Sequence, residues 1–381
     1  MNTGILTPAT GWAMLDRPSR FDSMTELVSP MVSAATPFEI PPLDARDVGR
    51  LVRTALDAVR GGEAYGAKAV LEPIPEELTA LLGEAARNVY VPGERANWKL
   101  STLISVNATY GAVKIVGSHS YNRQQGLPRS CSTLLLYDKL TMRSVAIFDG
   151  TALSAQRTGA YASIVIDRLL RHHAKFSVYL FGAGRVAQSV VADLDAHHAD
   201  RVEALYVNSR THDSATTFVN WMGPRVRFPV IAPQDRRAHL PDCTLIVTAS
   251  NADAPLFEAW EVGEETVVLH LGGDEIPRGL VEYVLEAGTV ICDDVHTVAH
   301  RNSQSLPLYF SRIGRSLQEV TGRHQILNLW QIDEHAGTRY RLPALVTCVG
   351  LPVLDLYLAQ HVYETAREAD ARSAATPVPP S

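Results

Sequence analysis

Apolar residues recur along this chain with more than one period, and the changes of period divide it into segments. From Pro42, Val48, Leu51, Val52, Ala55, Leu56 and Val59 fall three and four apart, the spacing of one helix face, until Gly61-Gly62 ends the run. A second helix is expected to open at Pro75, a residue suited to a first helical position, and to run through Leu78, Leu81 and Leu82. Between residues 98 and 150 the pattern shortens into strand-like segments, WKLSTLISV, YGAVKIVGS, CSTLLLYD and RSVAIFDG, separated by Asn, Gly and Pro. These predict an antiparallel sheet or open barrel. Residues 151–170 then read as one long helix with Leu153, Ala160, Ile164, Ile166 and Leu170 among its apolar positions.

Residues 176–292 alternate between apolar strands and helical stretches. The strands are FSVYLF, VEALYV, TLIVTAS, TVVLHLGG and TVIC. That alternation predicts a parallel, doubly wound sheet. Beyond it come a helical segment near 316–320, the segment ILNLWQI, and an apolar run at 345–358 read as a helix packing back on the first part of the chain. Residues 1–40 lack a sustained period and read as an extension ordered only in part, and the tail ADARSAATPVPPS as disordered. There is no internal repeat.

The stretch at 176–194 organises the whole. An apolar strand runs into Gly182-Ala183-Gly184-Arg185-Val186-Ala187 and then into a helical pattern, with a second strand at 202–207. Two glycines allow a tight turn where the backbone approaches a pyrophosphate, and Ala187 is small enough for helix and strand to pack closely. A GxGxxA string alone is weak evidence, but set in a βαβ unit of this size it points to a dinucleotide. The second strand ends in Asn208-Ser209-Arg210-Thr211, with no acid for a ribose 2′-hydroxyl, and Arg210 with Ser209 and Thr211 could hold a 2′-phosphate. NADP(H) is therefore expected over NAD(H). Thr158 and, at the end of the next strand, Thr248-Ala249-Ser250 complete the candidate cofactor residues.

Composition narrows the classes. With 381 residues, 46% of them hydrophobic, the chain can form two domains around a sizeable core. A formal charge of −6 and pI near 6.1 give no reason to expect nucleic acid or an anionic membrane as partner. Cys131, Cys243, Cys292 and Cys348 show no metal-type spacing and read as buried small residues in a reducing compartment. With neither a leader pattern nor a membrane-length apolar run, a cytoplasmic location is the default expectation.

Several residues could carry chemistry. Lys114 precedes Gly117-Ser118-His119, and Arg157 sits in Arg157-Thr158-Gly159-Ala160; alone each is an ordinary surface cation, but together they would hold an amino-acid carboxylate. In Leu271-Gly272-Gly273-Asp274 a buried strand runs straight into glycines and an acid, which places Asp274 beyond a strand's carboxyl end, where ligands lie in open α/β sheets. Read alone, Asp274 has a helix N-cap as its alternative role.

In this fixed order, Lys114 with GSHSYN, Arg157 in RTGA, Gly182-Ala183-Gly184 and the GGD of residues 272–274 resemble the ornithine cyclodeaminase / μ-crystallin family over about residues 85–365. The resemblance implies an α/β fold: a Rossmann domain, a doubly wound parallel sheet at 153–320, inserted into a discontinuous α+β substrate-binding and dimerisation domain at 41–152 and 321–368. Residues 1–40 and 369–381 would flank it. It implies a homodimer, an NAD(P) cofactor, and redox chemistry at the C–N bond of an amino acid or imine. Arg95, Lys114 and Arg157 would then bind the α-carboxylate, and Asp274 and Lys114 would be the catalytic residues, Asp274 as acid/base.

Some features separate this chain from particular members. Ornithine cyclodeaminases carry an acid on the strand before the lysine to hold the distal amine, whereas this chain has Lys99 and Ser101 there. Lysine suits a carboxylate-bearing side chain instead. The GSHSYN, Cys292-Asp293-Asp294 and NLW segments resemble the siderophore- and antibiotic-pathway members that oxidise N-(2-amino-2-carboxyethyl)-L-glutamate to 2,3-diaminopropionate and 2-oxoglutarate. Lys99, Arg123 and Arg129 could serve the extra carboxylates of such a substrate, with His119 as a further pocket candidate. A cyclodeaminase, an imine reductase and a non-catalytic NADPH-dependent binding protein are the alternatives.

Overall fold

The structure, a computed structural model, describes residues 43–83, 98–301, 303–322, 324–332 and 340–375. Helix α1 (Ala45–Arg60) is capped by the Asp44 carboxylate, which accepts from the Arg46 N–H at 2.8 Å, and it buries Val48, Leu51, Val52, Ala55 and Leu56 as the period predicts. Strand β1 (Tyr65–Leu71), which shows no clear alternation in sequence, follows, and then α2 (Pro75–Leu82) with proline in its first turn.

Strands β2 (Lys99–Val106), β3 (Tyr110–Ser118), β4 (Ser130–Asp138) and β5 (Ser144–Asp149) join β1 in an open antiparallel sheet of order β1-β2-β3-β4-β5. Register sets Lys68, Leu103, Lys114, Leu134 and Phe148 side by side across all five strands. Strand spacing puts Lys68 and Lys114, two strands apart, about 10 Å from each other on the inner face.

The helix expected over 151–170 is two helices, α3 (Thr151–Gly159) and α4 (Tyr161–Leu169). The break follows Gly159, where a β-carbon would stand 2.4 Å from the Ser189 carbonyl carbon, so the glycine is needed for the close crossing with α5 (Arg185–His198). The second sheet is parallel throughout. It comprises β6 (Phe176–Phe181), β7 (Val202–Asn208), β8 (Val230–Ile231), β9 (Leu245–Thr248), β10 (Val267–His270), β11 (Thr289–Cys292), β12 (Ile326–Asn328) and β13 (Ala344–Thr347), in the order β12-β11-β13-β10-β9-β6-β7-β8. Helix α6 (His212–Met222) follows β7.

The C-terminal part departs from the sequence reading. The run at 345–358 is not one helix: its first residues form β13, between β10 and β11, and the C-terminal helix begins only at Pro352. Leu345 and Val346 are wholly buried in the sheet, and a short apolar run carries no periodicity that separates strand from helix. Since β12 and β13 complete the parallel sheet, the boundary drawn at residue 320 falls inside it. The C-terminal helix continues to Ala375, so 369–375 is helical where a disordered tail was expected. Residues 1–40 lie outside the described residues. Among the described residues no helix is long and apolar enough to cross a membrane.

Candidate active site

A cavity of about 700 Å³ lies between the inner face of the antiparallel sheet and the carboxyl ends of the parallel strands. Its nucleotide end is built by the β6–α5 turn. Gly182 has φ +120, and a β-carbon there would lie 2.4 Å from the Ala249 carbonyl oxygen, so only glycine fits. Gly184 has nothing within 4 Å of the place a β-carbon would take, leaving open space at the N-terminus of α5. That cradle, with free space over helix N–H groups, fits a dinucleotide pyrophosphate. Ala183, Arg185, Val186, Asn208, Ser209, Arg210, Ala249, Ser250 and Thr158 line the same cavity. Thr211 and Thr248 do not: Thr211 caps α6, its hydroxyl accepting from the Ser214 N–H at 3.2 Å, and Thr248 is wholly buried in β9. Ser214 lines the cavity beside Arg210.

At the other end Lys114 and Arg157 converge, but on a carboxylate that sequence reasoning did not single out. The Lys114 ammonium is 2.6 Å from Oδ1 of Asp355, on the C-terminal helix, and Arg157 Nε donates to the same oxygen at 3.4 Å. All three side chains are almost fully buried. Burial pulls the Lys114 ammonium down to about 8, partly offset by Asp355. Burial would raise the Asp355 carboxyl, yet Lys114 and Arg157 outweigh it and hold it below the usual range. Gly350, at φ +80, makes room for Arg157: a β-carbon there would fall 1.8 Å from Nη1. The loop carrying Gly350 is pinned by Asp293, whose Oδ2 accepts from the Val349 and Gly350 N–H groups and from Tyr161 Oη at 3.0, 2.8 and 2.9 Å. An acid interrupting the apolar run LPVLDLYLA was the available signal for Asp355.

Three further cations named from sequence, Lys99, Arg123 and Arg129, line the cavity, and Arg129 donates to Asn251 Oδ1 at 2.9 Å from across it. Lys68 and Arg301 join them. Lys68 lies on a strand without readable alternation; burial first, and then the surrounding cations, lower its ammonium well below the ordinary lysine range. Counting Arg185 and Arg210, nine cationic side chains among the described residues line the cavity, and no described aspartate or glutamate does.

Asp274 and His119 are not among the residues lining the cavity. The Asp274 carboxylate pairs with Arg312 of the helix Ser305–Arg312. Gly272 does line the cavity, and the next acid, Glu275, turns inward to accept from Ser250 Oγ at 2.6 Å. His119 is also off the wall, half-buried near Tyr121, where burial lowers its imidazolium. Arg95 lies outside the described residues. Cys131 is exposed rather than buried and is among the residues that line the cavity. Among the described residues no group of three or more His, Cys, Asp or Glu could hold a metal.

A Rossmann sheet whose turn fits a dinucleotide, facing a buried pair of cations across one cavity, is the arrangement of a nucleotide-dependent enzyme. The sequence profile of the Ornithine cyclodeaminase/mu-crystallin family matches residues 78–370, and the chain belongs to that family. A Delta(1)-pyrroline-2-carboxylate reductase of Bacillus cereus is 24% identical over 280 residues, 72% of this chain and 84% of the relative. The N-((2S)-2-amino-2-carboxyethyl)-L-glutamate dehydrogenase of Staphylococcus aureus is 20% identical over 184 residues, 48% and 53% of the two chains. The fold matches the solved Thermococcus litoralis Delta(1)-pyrroline-2-carboxylate reductase in complex with NADH and L-proline. The TM-score is 0.71 at 20% identity, over 86% of this chain and 95% of that one. The chain is a nicotinamide-dependent enzyme of amino acids or their imines.

Proposed function

We propose that this protein is an NADP(H)-dependent oxidoreductase acting on the C–N bond of an amino acid that bears several carboxylates, of the type N-(2-amino-2-carboxyethyl)-L-glutamate. One observation carries the reading: among the described residues nine cations and no carboxylate line the cavity. Four of them, Arg185 and Arg210 at the cofactor end and Lys114 and Arg157 at the clamp, suffice for a dinucleotide and one α-carboxylate. Lys68, Lys99, Arg123, Arg129 and Arg301 exceed what a monocarboxylate needs.

The same charge pattern bears on the chemistry. When bound, the nicotinamide supplies the hydride acceptor. Lys114 and Arg157 hold the α-carboxylate and so orient the adjacent α-carbon. The surrounding cations disfavour an ammonium and favour the neutral secondary amine, whose lone pair is needed to expel hydride. Loss of the α-hydrogen as hydride and of the N–H proton to solvent gives the imine. Water adds to it and the C–N bond breaks, releasing an amine and a 2-oxo acid. A cyclodeaminase needs an acid for its substrate's distal ammonium, and the described residues of the cavity wall offer none.

A second reading, reduction of a cyclic or open imine, is favoured by the likeness to pyrroline-2-carboxylate reductases over 72% of the chain. It uses the same clamp in the reverse direction. Arg210 with Ser209 and Ser214 would hold the 2′-phosphate of NADP(H). Assembly would be a homodimer through the outer face of the antiparallel sheet, where Leu100, Ile104, Ile115 and Ile147 are 41–52% exposed; light scattering behind size exclusion checks it.

The test is absorbance at 340 nm with NADP⁺ and NAD⁺ against L-ornithine, L-lysine, L-alanine, L-glutamate and N-(2-amino-2-carboxyethyl)-L-glutamate, with ammonia assayed in parallel and Δ(1)-pyrroline-2-carboxylate tested against NADPH. A rise confined to the tricarboxylate supports the proposal. Ammonia release from ornithine without a rise would overturn it in favour of a cyclodeaminase, and NADPH consumption with the imine alone would favour the reductase.

A further inference from the structure

The clamp holds two cations side by side out of contact with bulk water, an arrangement that is self-defeating for an anion site unless something keeps the more easily neutralised partner charged. Arginine does not lose its proton in proteins, but a buried lysine does. Lys114 stands on β3 between Leu103 and Leu134 of the neighbouring strands. Its Nζ has two partners: Ser154 Oγ at 3.2 Å, which is neutral, and Asp355 Oδ1 at 2.6 Å.

The groups facing the pair come from every packed element. The antiparallel sheet contributes Lys68 and Lys99, α3 contributes Arg157 and Ser154, α4 contributes Tyr161, the β11 end contributes Asp293, and the C-terminal helix contributes Asp355. Asp293 is engaged by Tyr161 and two loop N–H groups. Asp355 is thus the one acid among these that touches Lys114.

Asp355 does not itself line the cavity, whereas Lys114 and Arg157 do. Both cations are drawn to one of its oxygens, Oδ1, and Oδ2 has no hydrogen-bond partner among the described residues. Two cations held at a single atom from behind still border the cavity themselves.

We propose that Asp355 is the positioning residue of the clamp: through Oδ1 it keeps the Lys114 ammonium charged and aligned with the Arg157 guanidinium, so that together they present two positive charges to a substrate carboxylate. This rests on the proposed function only for what the clamp binds. The state of Lys114 is independent of any substrate.

The experiment therefore reads charge first. Replacing Asp355→Asn removes one negative charge, and an ordinary surface substitution of that kind raises net charge by one. Here, capillary electrophoresis at pH 7 is expected to show a change near zero, because Lys114 gives up its proton when its partner goes; at pH 5.5 the change should approach one. With the ammonium held at about 8 in the native protein, about nine-tenths of it is charged at pH 7. Lys114→Gln should accordingly lower net charge by about one unit in the native background and by none in Asp355→Asn, while Asp355→Glu restores the native pattern.

A full unit gained in Asp355→Asn at both pH values would overturn the proposal and leave Asp355 a structural residue. If Asp355→Asn does not fold by near-ultraviolet circular dichroism, Lys114→Gln alone decides: no charge lost at pH 7 overturns it. A kinetic readout follows on whichever compound is turned over. In Asp355→Asn the alkaline rise of KM should begin at least one pH unit lower, with kcat changed less than KM. Absence of turnover with every compound would sink the substrate reading and leave the charge result standing.

Discussion

Gly350→Ala probes the clamp from its rear wall. The residue has φ +80, a left-handed conformation that costs an alanine about 1–2 kcal/mol. Its β-carbon would stand 1.8 Å from Arg157 Nη1, 2.5 Å from Cζ and 2.7 Å from Nη2, so the guanidinium must move. Arg157 is 6% exposed and its Nε is committed to Asp355, which prevents an easy retreat. Nor can the loop readily back away, because the Val349 and Gly350 N–H groups are both held by Asp293. Removing one partner of a buried ion pair costs about 3–5 kcal/mol, and displacing it without removing it costs part of that, about 1–3. The sum is a loss of about 2–5 kcal/mol in unfolding free energy, with KM for the carboxylate substrate raised about 10- to 100-fold, equivalent to ~1.4–2.8 kcal/mol of lost binding. Denaturant unfolding and initial-rate kinetics measure the two. The control is Gly117→Ala on β3, where a β-carbon meets nothing within 4 Å and neither quantity should move. If Gly350→Ala matches that control in stability and KM, Arg157 does not occupy the seat described and the clamp is wrongly built.

Gly184→Val should leave the unfolding midpoint close to native, since space is open there, while weakening nucleotide binding at least tenfold by fluorescence titration; unaltered affinity would mean the pyrophosphate lies elsewhere. Arg210→Ala should cut the preference for NADP(H) over NAD(H), read as the ratio of kcat/KM values, by an order of magnitude or more, and an unchanged ratio would remove Arg210 from cofactor choice. Asp193, buried between α4 and α5, has its carboxyl pushed up to about 7 mainly by burial, against hydrogen bonds from Ser163. A folded-state value above the unfolded one means the folded protein binds the proton more tightly, so its contribution to stability is complete below about 4 and lost as pH rises through 7. The melting temperature of the native protein should therefore fall relative to Asp193→Asn between pH 5 and 8, and a constant difference would contradict the assignment.

How far the sequence discloses this molecule depends on whether the signal is local. The β6–α5 turn, the four strands from β2 to β5 and the buried face of α1 were readable because each is written as a period or a glycine spacing within a dozen residues. The clamp was readable in half: Lys114 and Arg157 stand in short motifs, but Asp355, which holds them, lies 198 residues beyond Arg157 and reaches them only through the C-terminal helix. Lys68 was invisible for a different reason, since β1 is an edge strand whose side chains are largely exposed and so carry no alternation. The direction of the Asp274 side chain was not legible, because position beyond a strand end fixes the backbone while the carboxylate turns to Arg312, 38 residues away. The run at 345–358 was misread because burial on all sides erases the period that tells a strand from a helix.

The placement of β13 bears on how the protein is made. It separates β11 from β10, so the paired strands β11 and β12 cannot join the rest of the sheet until residues near 344 have left the ribosome, although β6 to β10 were synthesised long before. During that interval the growing chain displays the unpaired edge of β10, with Val267, Val268 and Leu269 all destined for full burial, which is the kind of surface that recruits chaperones or other nascent chains. The same few residues that close the nucleotide sheet then lead directly into the helix bearing Asp355, so cofactor platform and substrate clamp come into being in one late event. A fragment ending at 320 would carry the dinucleotide motif and lack the strand that finishes its sheet.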